Sequence, residues 1–165
     1  TGMSISAIVG RRFKRPVINL GFSGNGQMEP EVGALLAELD PAVYALDCLP
    51  NMTPEMVASR TEPMVRQLRA AGPNTPILLV EDRTFTNAGF IKSTRQNHEA
   101  RRKAYHTAFE NLRSAGVTNI GYLKGENLVG DDGEGATDGS HPNDLGMVRY
   151  ADGYEKALRA LLRRG

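Results

Sequence analysis

The sequence predicts an α/β fold, a doubly wound three-layer sandwich in which helices cover both faces of a parallel sheet. Short apolar runs alternate with longer amphipathic ones through all 165 residues. The short runs are almost continuously apolar, as strands buried on both faces require. Eighteen glycines and nine prolines supply the turns between them, where α/β proteins keep their chemistry. Strand–helix alternation at this spacing implies right-handed crossovers, which stack helices above and below the sheet.

The elements follow in order. Residues 5–13 read as a helix, with Ile5, Ile8, Val9 and Phe13 on one face. A doubly wound sheet normally opens on a strand, so the first strand is expected to be absent from this chain. Residues 17–20 read as a buried strand ending at Gly21, and residues 31–39 as a helix carrying Val32, Leu35, Leu36 and Leu39. Residues 42–47 form a second predicted strand. Thr53 as N-cap and Pro54 at the first helical position open a helical stretch over 54–71, which Thr61-Glu-Pro63 is expected to break in two. A strand over 76–81, a long helix over 94–115 stopped by Gly116, and a weaker strand over 118–123 come next. The last helix covers 143–163. Before it lies an irregular, Gly- and Asp-rich stretch, 124–142, long enough to be functional or disordered.

The totals narrow the function. The length suits one domain spanning residues 1–165. Twenty basic and nineteen acidic residues leave a net charge of +1, without the basic excess of a nucleic-acid binder. No apolar run approaches the ~20 residues of a membrane span. The single cysteine, Cys48, excludes an internal disulfide and leaves the compartment open, cytoplasmic or secreted. No His/Cys/carboxylate set has zinc-ligand spacing, and Asp131, Asp132 and Glu134 lack the spacing of a calcium loop. The Gly-rich loops match neither a P-loop nor a dinucleotide fingerprint, so no metal or organic cofactor is expected.

Three segments carry chemistry. In Asp138-Gly-Ser-His141-Pro, an Asp three residues before a His can hold its ring, set its tautomer and stabilise the imidazolium. The competing reading is a plain Asp-Gly turn with a solvated histidine. Gly21-Phe-Ser-Gly24-Asn-Gly26 follows a predicted strand. It suits an oxyanion loop with the Gly24 N–H as donor, a variant nucleophile elbow on Ser23 whose last glycine is replaced by Asn25, or an ordinary turn. Asp47-Cys-Leu-Pro-Asn51 ends another strand, where an amide can face developing negative charge without titrating. His98 and His106 lie among Arg95, Arg101, Arg102 and Lys103 on the long helix and read as a solvated face.

In this order, the Gly loop, the Asn loop and the Asp-x-x-His loop resemble the blocks of the SGNH (GDSL-type) hydrolases. The resemblance covers nearly the whole chain, and its last block is the most specific piece. It implies a flavodoxin-like sheet. It also implies Gly24 and Asn51 as oxyanion donors, His141 as general base and Asp138 as its orienting carboxylate. Leu49 and Pro50 stand where the family has a glycine before its Asn. The wording Leu-Asp-Cys-Leu-Pro-Asn51 is similar to a subgroup often carrying an extra β-sandwich domain upstream. Gly2-Met-Ser4-Ile superficially resembles the nucleophile block, yet only three residues precede Ser4, too few for the strand that should hold it. Ser4 is therefore read as capping or lying in the first helix, and the nucleophile as lying in preceding sequence of a longer protein. The resemblance implies a serine esterase acting on a small-molecule or carbohydrate ester, acetyl among the acyl groups. The alternatives are an acyltransferase using the same acyl-enzyme, and a binding module that has lost its nucleophile. The 165 residues by themselves are expected to be inactive and poorly stable, because a sheet without its central strand exposes two edges.

Overall fold

A computed structural model describes residues 2–163. Helix α1 (Ile5–Phe13) is followed by an irregular segment, then α2 (Pro30–Ala37), β1 (Tyr44–Leu46), α3 (Pro54–Ala71), β2 (Ile77–Val80), α4 (Lys92–Ser114), β3 (Ile120–Leu123) and α5 (Asp144–Leu162). The strands form a parallel sheet in the order β1-β2-β3, with Leu46 opposite Leu79 and Leu79 opposite Tyr122.

Strand β2 explains the layering. All four of its side chains are buried, and they alternate between two cores. Ile77 and Leu79 point into a core with Tyr44, Leu46, Val65 and Leu68, together with Tyr105 and Leu112 of α4. Leu78 and Val80 point the other way, against Ile8 and Val9 of α1 and Tyr150, Tyr154, Leu158 and Leu161 of α5. Helices α2, α3 and α4 therefore cover one face and α1 and α5 the other. This is the predicted three-layer sandwich, because a strand with apolar residues on both sides of its pleat must be covered twice. Among the described residues, no helix is long and apolar enough to cross a membrane.

Two expectations fail. Residues 17–20 are not a strand; Val17, Ile18 and Leu20 are exposed and the segment joins no ladder among the described residues. A strand exists only through a hydrogen-bonded neighbour, and this segment has none. The Asn19 side chain instead accepts the Gly21 N–H at 3.0 Å and donates to Ser6 Oγ at 3.2 Å.

The second failure is the break at Thr61-Glu-Pro63, since α3 runs unbroken through Pro63. Proline there removes the bond to the carbonyl of Ser59, which is exposed and so open to water. Val57, Thr61, Met64, Val65 and Leu68 are all buried along one stripe, and the Thr61 hydroxyl donates to the Val57 carbonyl at 2.7 Å. Core burial outweighs the propensity of one residue. The start of α3 is as expected, with Thr53 Oγ1 accepting the Met56 N–H at 3.3 Å.

Leu79 is fully buried at the centre of the sheet, so Leu79→Ala should destabilise the protein by about 2–5 kcal/mol in urea unfolding. Thr53→Ala removes one cap and should cost about 1 kcal/mol in the same assay.

Candidate active site

The strands all point their carboxyl ends the same way, and three loops at that end hold the candidate residues. The irregular stretch before α5 is folded by specific contacts. Ala136 and Pro142 form an isolated antiparallel bridge, the Thr137 N–H donates to the His141 carbonyl at 2.9 Å, and Asn143 caps α5 by accepting the Gly146 N–H at 3.0 Å. Arg149 braces the stretch from α5, pairing with both oxygens of Asp132 at 2.7 Å. His141 is thus fixed two residues ahead of a helix N-cap.

Within this loop, one carboxylate both makes the turn and holds the imidazole. Asp138 Oδ1 accepts the backbone N–H groups of Ser140 and His141, at 3.0 and 2.8 Å, and so makes the turn. Asp138 Oδ2 lies 2.7 Å from His141 Nδ1 and holds the ring. The His141 N–H bond, then the imidazole contact and the Ser140 N–H, keep the Asp138 carboxyl well below the usual carboxylate range. An ionised Asp138 assigns the proton to Nδ1 and leaves Nε2 as the basic nitrogen of a neutral ring. The His141 side chain is 77% exposed, so Nε2 is open to a reactant. Gly139 is required between them: its φ is +85°, and a Cβ there would meet the Asn87 amide at 2.6 Å.

The Gly loop and the Asn loop meet. Asn51 ends a single 3₁₀ turn (Leu49–Asn51) directly after β1, and its Nδ2 donates to the Gly26 carbonyl at 3.3 Å. Gln27 Nε2 returns a bond to the Asn51 carbonyl at 3.0 Å, and Arg60 of α3 holds the Gln27 carbonyl at 3.0 Å. One amide hydrogen of Asn51 is used in this way, and an amide carries a second. Phe22, Ser23 and Gly24 have φ of 48°, 48° and 94°, and the first two pay a steric cost that glycine does not. The elbow reading of Ser23 lacks its context, since neither a strand before it nor a helix directly after it forms.

Ser4 is the N-cap of α1, its Oγ accepting the Ala7 N–H at 3.3 Å and lying 3.2 Å from Ser6 Oγ. Cys48 is no substitute nucleophile. Burial, and secondarily the charge of Asp47, push its thiol up to about 12, so it stays protonated near neutrality.

Sequence reasoning missed a charged corner under these loops. Strand β2 runs straight into Glu81, Asp82 and Arg83, all buried. Asp82 Oδ2 pairs with Arg101 and lies 2.8 Å from His98 Nδ1, while His98 Nε2 accepts the Phe85 N–H at 3.3 Å. His98 is only 3% exposed, which corrects the expectation of a solvated face; His106, on the same helix, is exposed as expected. The signal was present in the spacing. The buried stripe Tyr105, Ala108, Leu112 continues backwards through Arg101 and His98, three and four residues apart. Glu81 accepts the Tyr122 hydroxyl at 2.6 Å and the Gly125 N–H at 2.8 Å. At the end of β1, the Asp47 carboxylate accepts the hydroxyls of Tyr150 (3.1 and 3.0 Å) and Tyr154 (2.8 Å). Burial raises the Asp47 pKa, against the lowering effect of the two tyrosines and of the nearby Arg83 charge.

Comparison with known proteins bears on the family and the fold. The model of the GDSL-like lipase/acylhydrolase family matches residues 1–159. The crystal structure of a protein from Bacteroides ovatus described as a GDSL-like lipase superposes with a TM-score of 0.94 at 37% identity, over 98% of this chain and 48% of that one. The salicylyl-acyltransferase SsfX3 of a tetracycline biosynthetic pathway superposes with a TM-score of 0.83 at 19% identity, over 97% of this chain and 49% of that one. The chain therefore spans about half the length of the solved structures it matches. Among curated proteins, none matches it. With the family model covering nearly every residue, and the fold shared with these structures, the chain belongs to the GDSL-like lipase/acylhydrolase family.

Proposed function

We propose that this chain supplies the acid–base and oxyanion groups of a serine esterase, the nucleophile coming from preceding sequence of a longer protein. The observation that carries this reading is the Asp138–His141 pair, 2.7 Å apart at Nδ1 with Nε2 facing outward. A hydroxyl meeting Nε2 gives up its proton as it attacks an ester carbonyl. Asp138 stabilises the imidazolium that results. The carbonyl oxygen becomes an oxyanion, for which the Gly24 N–H and the second Asn51 amide hydrogen are the intended donors. The imidazolium then protonates the departing alcohol, leaving an acyl-enzyme that water, activated by the same His141, hydrolyses. In this reading the site needs no metal or organic cofactor. A small acyl group on a small molecule or a sugar is the substrate class proposed, and a β-sandwich domain is proposed upstream.

The second reading is acyl transfer, in which an alcohol in place of water resolves the acyl-enzyme. The shared fold with a salicylyl-acyltransferase favours testing it, and the open exposure of His141 leaves room for either acceptor. A module without chemistry is disfavoured, because loss of catalysis would leave no reason for an exposed carboxylate to hold an exposed imidazole.

The full-length protein should hydrolyse p-nitrophenyl acetate, and His141→Ala should lower kcat by about a thousandfold or more. Full activity in that variant would refute the assignment. Asn51→Ala should lower kcat by about a hundredfold with little change in KM. Asp138 stays ionised throughout the working range, so the acid limb of the kcat/KM profile should carry one proton; a two-proton limb would contradict the pairing.

A further inference from the structure

We propose that Arg83 is a positioning residue: it locks the peptide between Ser140 and His141 and thereby sets the catalytic geometry of the histidine. The inference rests on the esterase reading and concerns a residue outside the three loops.

Arg83 lies at the end of β2, 57 positions before the loop it reaches, and is 9% exposed. Its Nε donates to the Ser140 carbonyl at 2.9 Å. The N–H of that same peptide unit belongs to His141 and donates to Asp138 Oδ1 at 2.8 Å. One peptide plane is therefore gripped at both ends, by a cation on its oxygen and an anion on its N–H. A cationic donor on the carbonyl polarises the unit and strengthens the N–H bond on the far side. That bond is one of the contacts that keep Asp138 ionised and aimed at Nδ1. Arg83 touches no reacting atom in this arrangement; it acts through the backbone.

The backbone on either side of the arginine is held in place. Asp82, just before it, is clamped by His98 and Arg101, and the Asp82 carbonyl accepts Arg102 Nε and Nη2 at 3.1 and 2.6 Å. Thr84, just after it, accepts Arg102 Nη2 at 2.8 Å, and the Phe85 N–H is taken by His98. The guanidinium lies 5.1 Å from the centre of the Phe85 ring. The Arg83 charge acts on the buried Asp47 carboxyl, itself held by Tyr150 and Tyr154, and lowers its pKa against the raising effect of burial. Asn87, four residues on, packs against Gly139 in the same loop. The hydrogen bond from this buried guanidinium ends on the carbonyl beside His141, so its charge is directed at the histidine loop.

The test uses the full-length protein with Arg83→Met and Arg83→Lys. Two readouts are taken: kinetics on p-nitrophenyl acetate, and amide hydrogen exchange at Ser140 and His141. For Arg83→Met, kcat should fall about a hundredfold with KM changed by no more than about twofold. Exchange should accelerate at Ser140 and His141 and not in the strands. Arg83→Lys, which keeps a charge and a donor, should fall between Met and wild type, and it carries the test if the Met variant does not fold. A folded Arg83→Met with wild-type kcat, or with unchanged exchange at both amides, would overturn the proposal. So would acceleration spread evenly over the strands, which marks a purely structural role. If the wild-type protein hydrolyses no ester, the esterase reading fails, while the exchange measurement still decides whether Arg83 locks the loop.

Discussion

The carboxyl end of this sheet hangs from one buried charge, Asp82. Strand β2 is apolar on both faces and ends inside the protein, so the chain must leave it under cover. Asp82 is fully buried at that exit and makes a bare carboxylate there costly. Helix α4 neutralises it with Arg101 and His98, and Arg102 takes the backbone carbonyl. The requirement fixes where α4 begins its pass across the sheet and how the following loop is turned. Arg83 and Asn87 then reach the histidine loop from a rigid base rather than from a mobile tip.

On that base, Asp138 performs two tasks with two oxygens. Oδ1 folds the turn and Oδ2 orients the imidazole, so forming the loop and orienting the ring are one event. A glycine at 139 is the condition for both, through its positive φ and through the space Asn87 occupies. The Asn loop is built in the same way. Asn51 spends one amide hydrogen joining its loop to the Gly loop, which leaves the other in a defined direction.

Much of this was legible in the sequence, for identifiable reasons. The alternation of fully apolar and amphipathic runs gave the layers, because each side of the β2 pleat has its own core. The motif at Asp138–His141 was legible because it is local, with its interacting groups three residues apart. Asn51 was legible only as an amide at a strand end, and its bond to Gly26, 25 positions away, was not. Nor was the charged corner. Asp82 meets His98 and Arg101 only after a loop and a turn of helix, and charged residues on a helix ordinarily face water. Residues 17–20 misled for the opposite reason: their composition is that of a strand, but a strand is a property of a pair, and Val17–Leu20 has no partner among the described residues. Pro63 likewise has a local preference that the buried stripe of α3 overrides.

The central claim is that His141 is the base of a serine nucleophile supplied by the longer protein. The most direct measurement is to react the full-length protein with a fluorophosphonate ester, locate the adduct by peptide mass, and determine its crystal structure. The account predicts a single modified serine preceding residue 1. Its Oγ should lie about 3 Å from His141 Nε2, with the phosphoryl oxygen facing the Gly24 N–H and Asn51 Nδ2. An adduct on Ser4 or Ser23, or one whose oxygen points away from both donors, would contradict it.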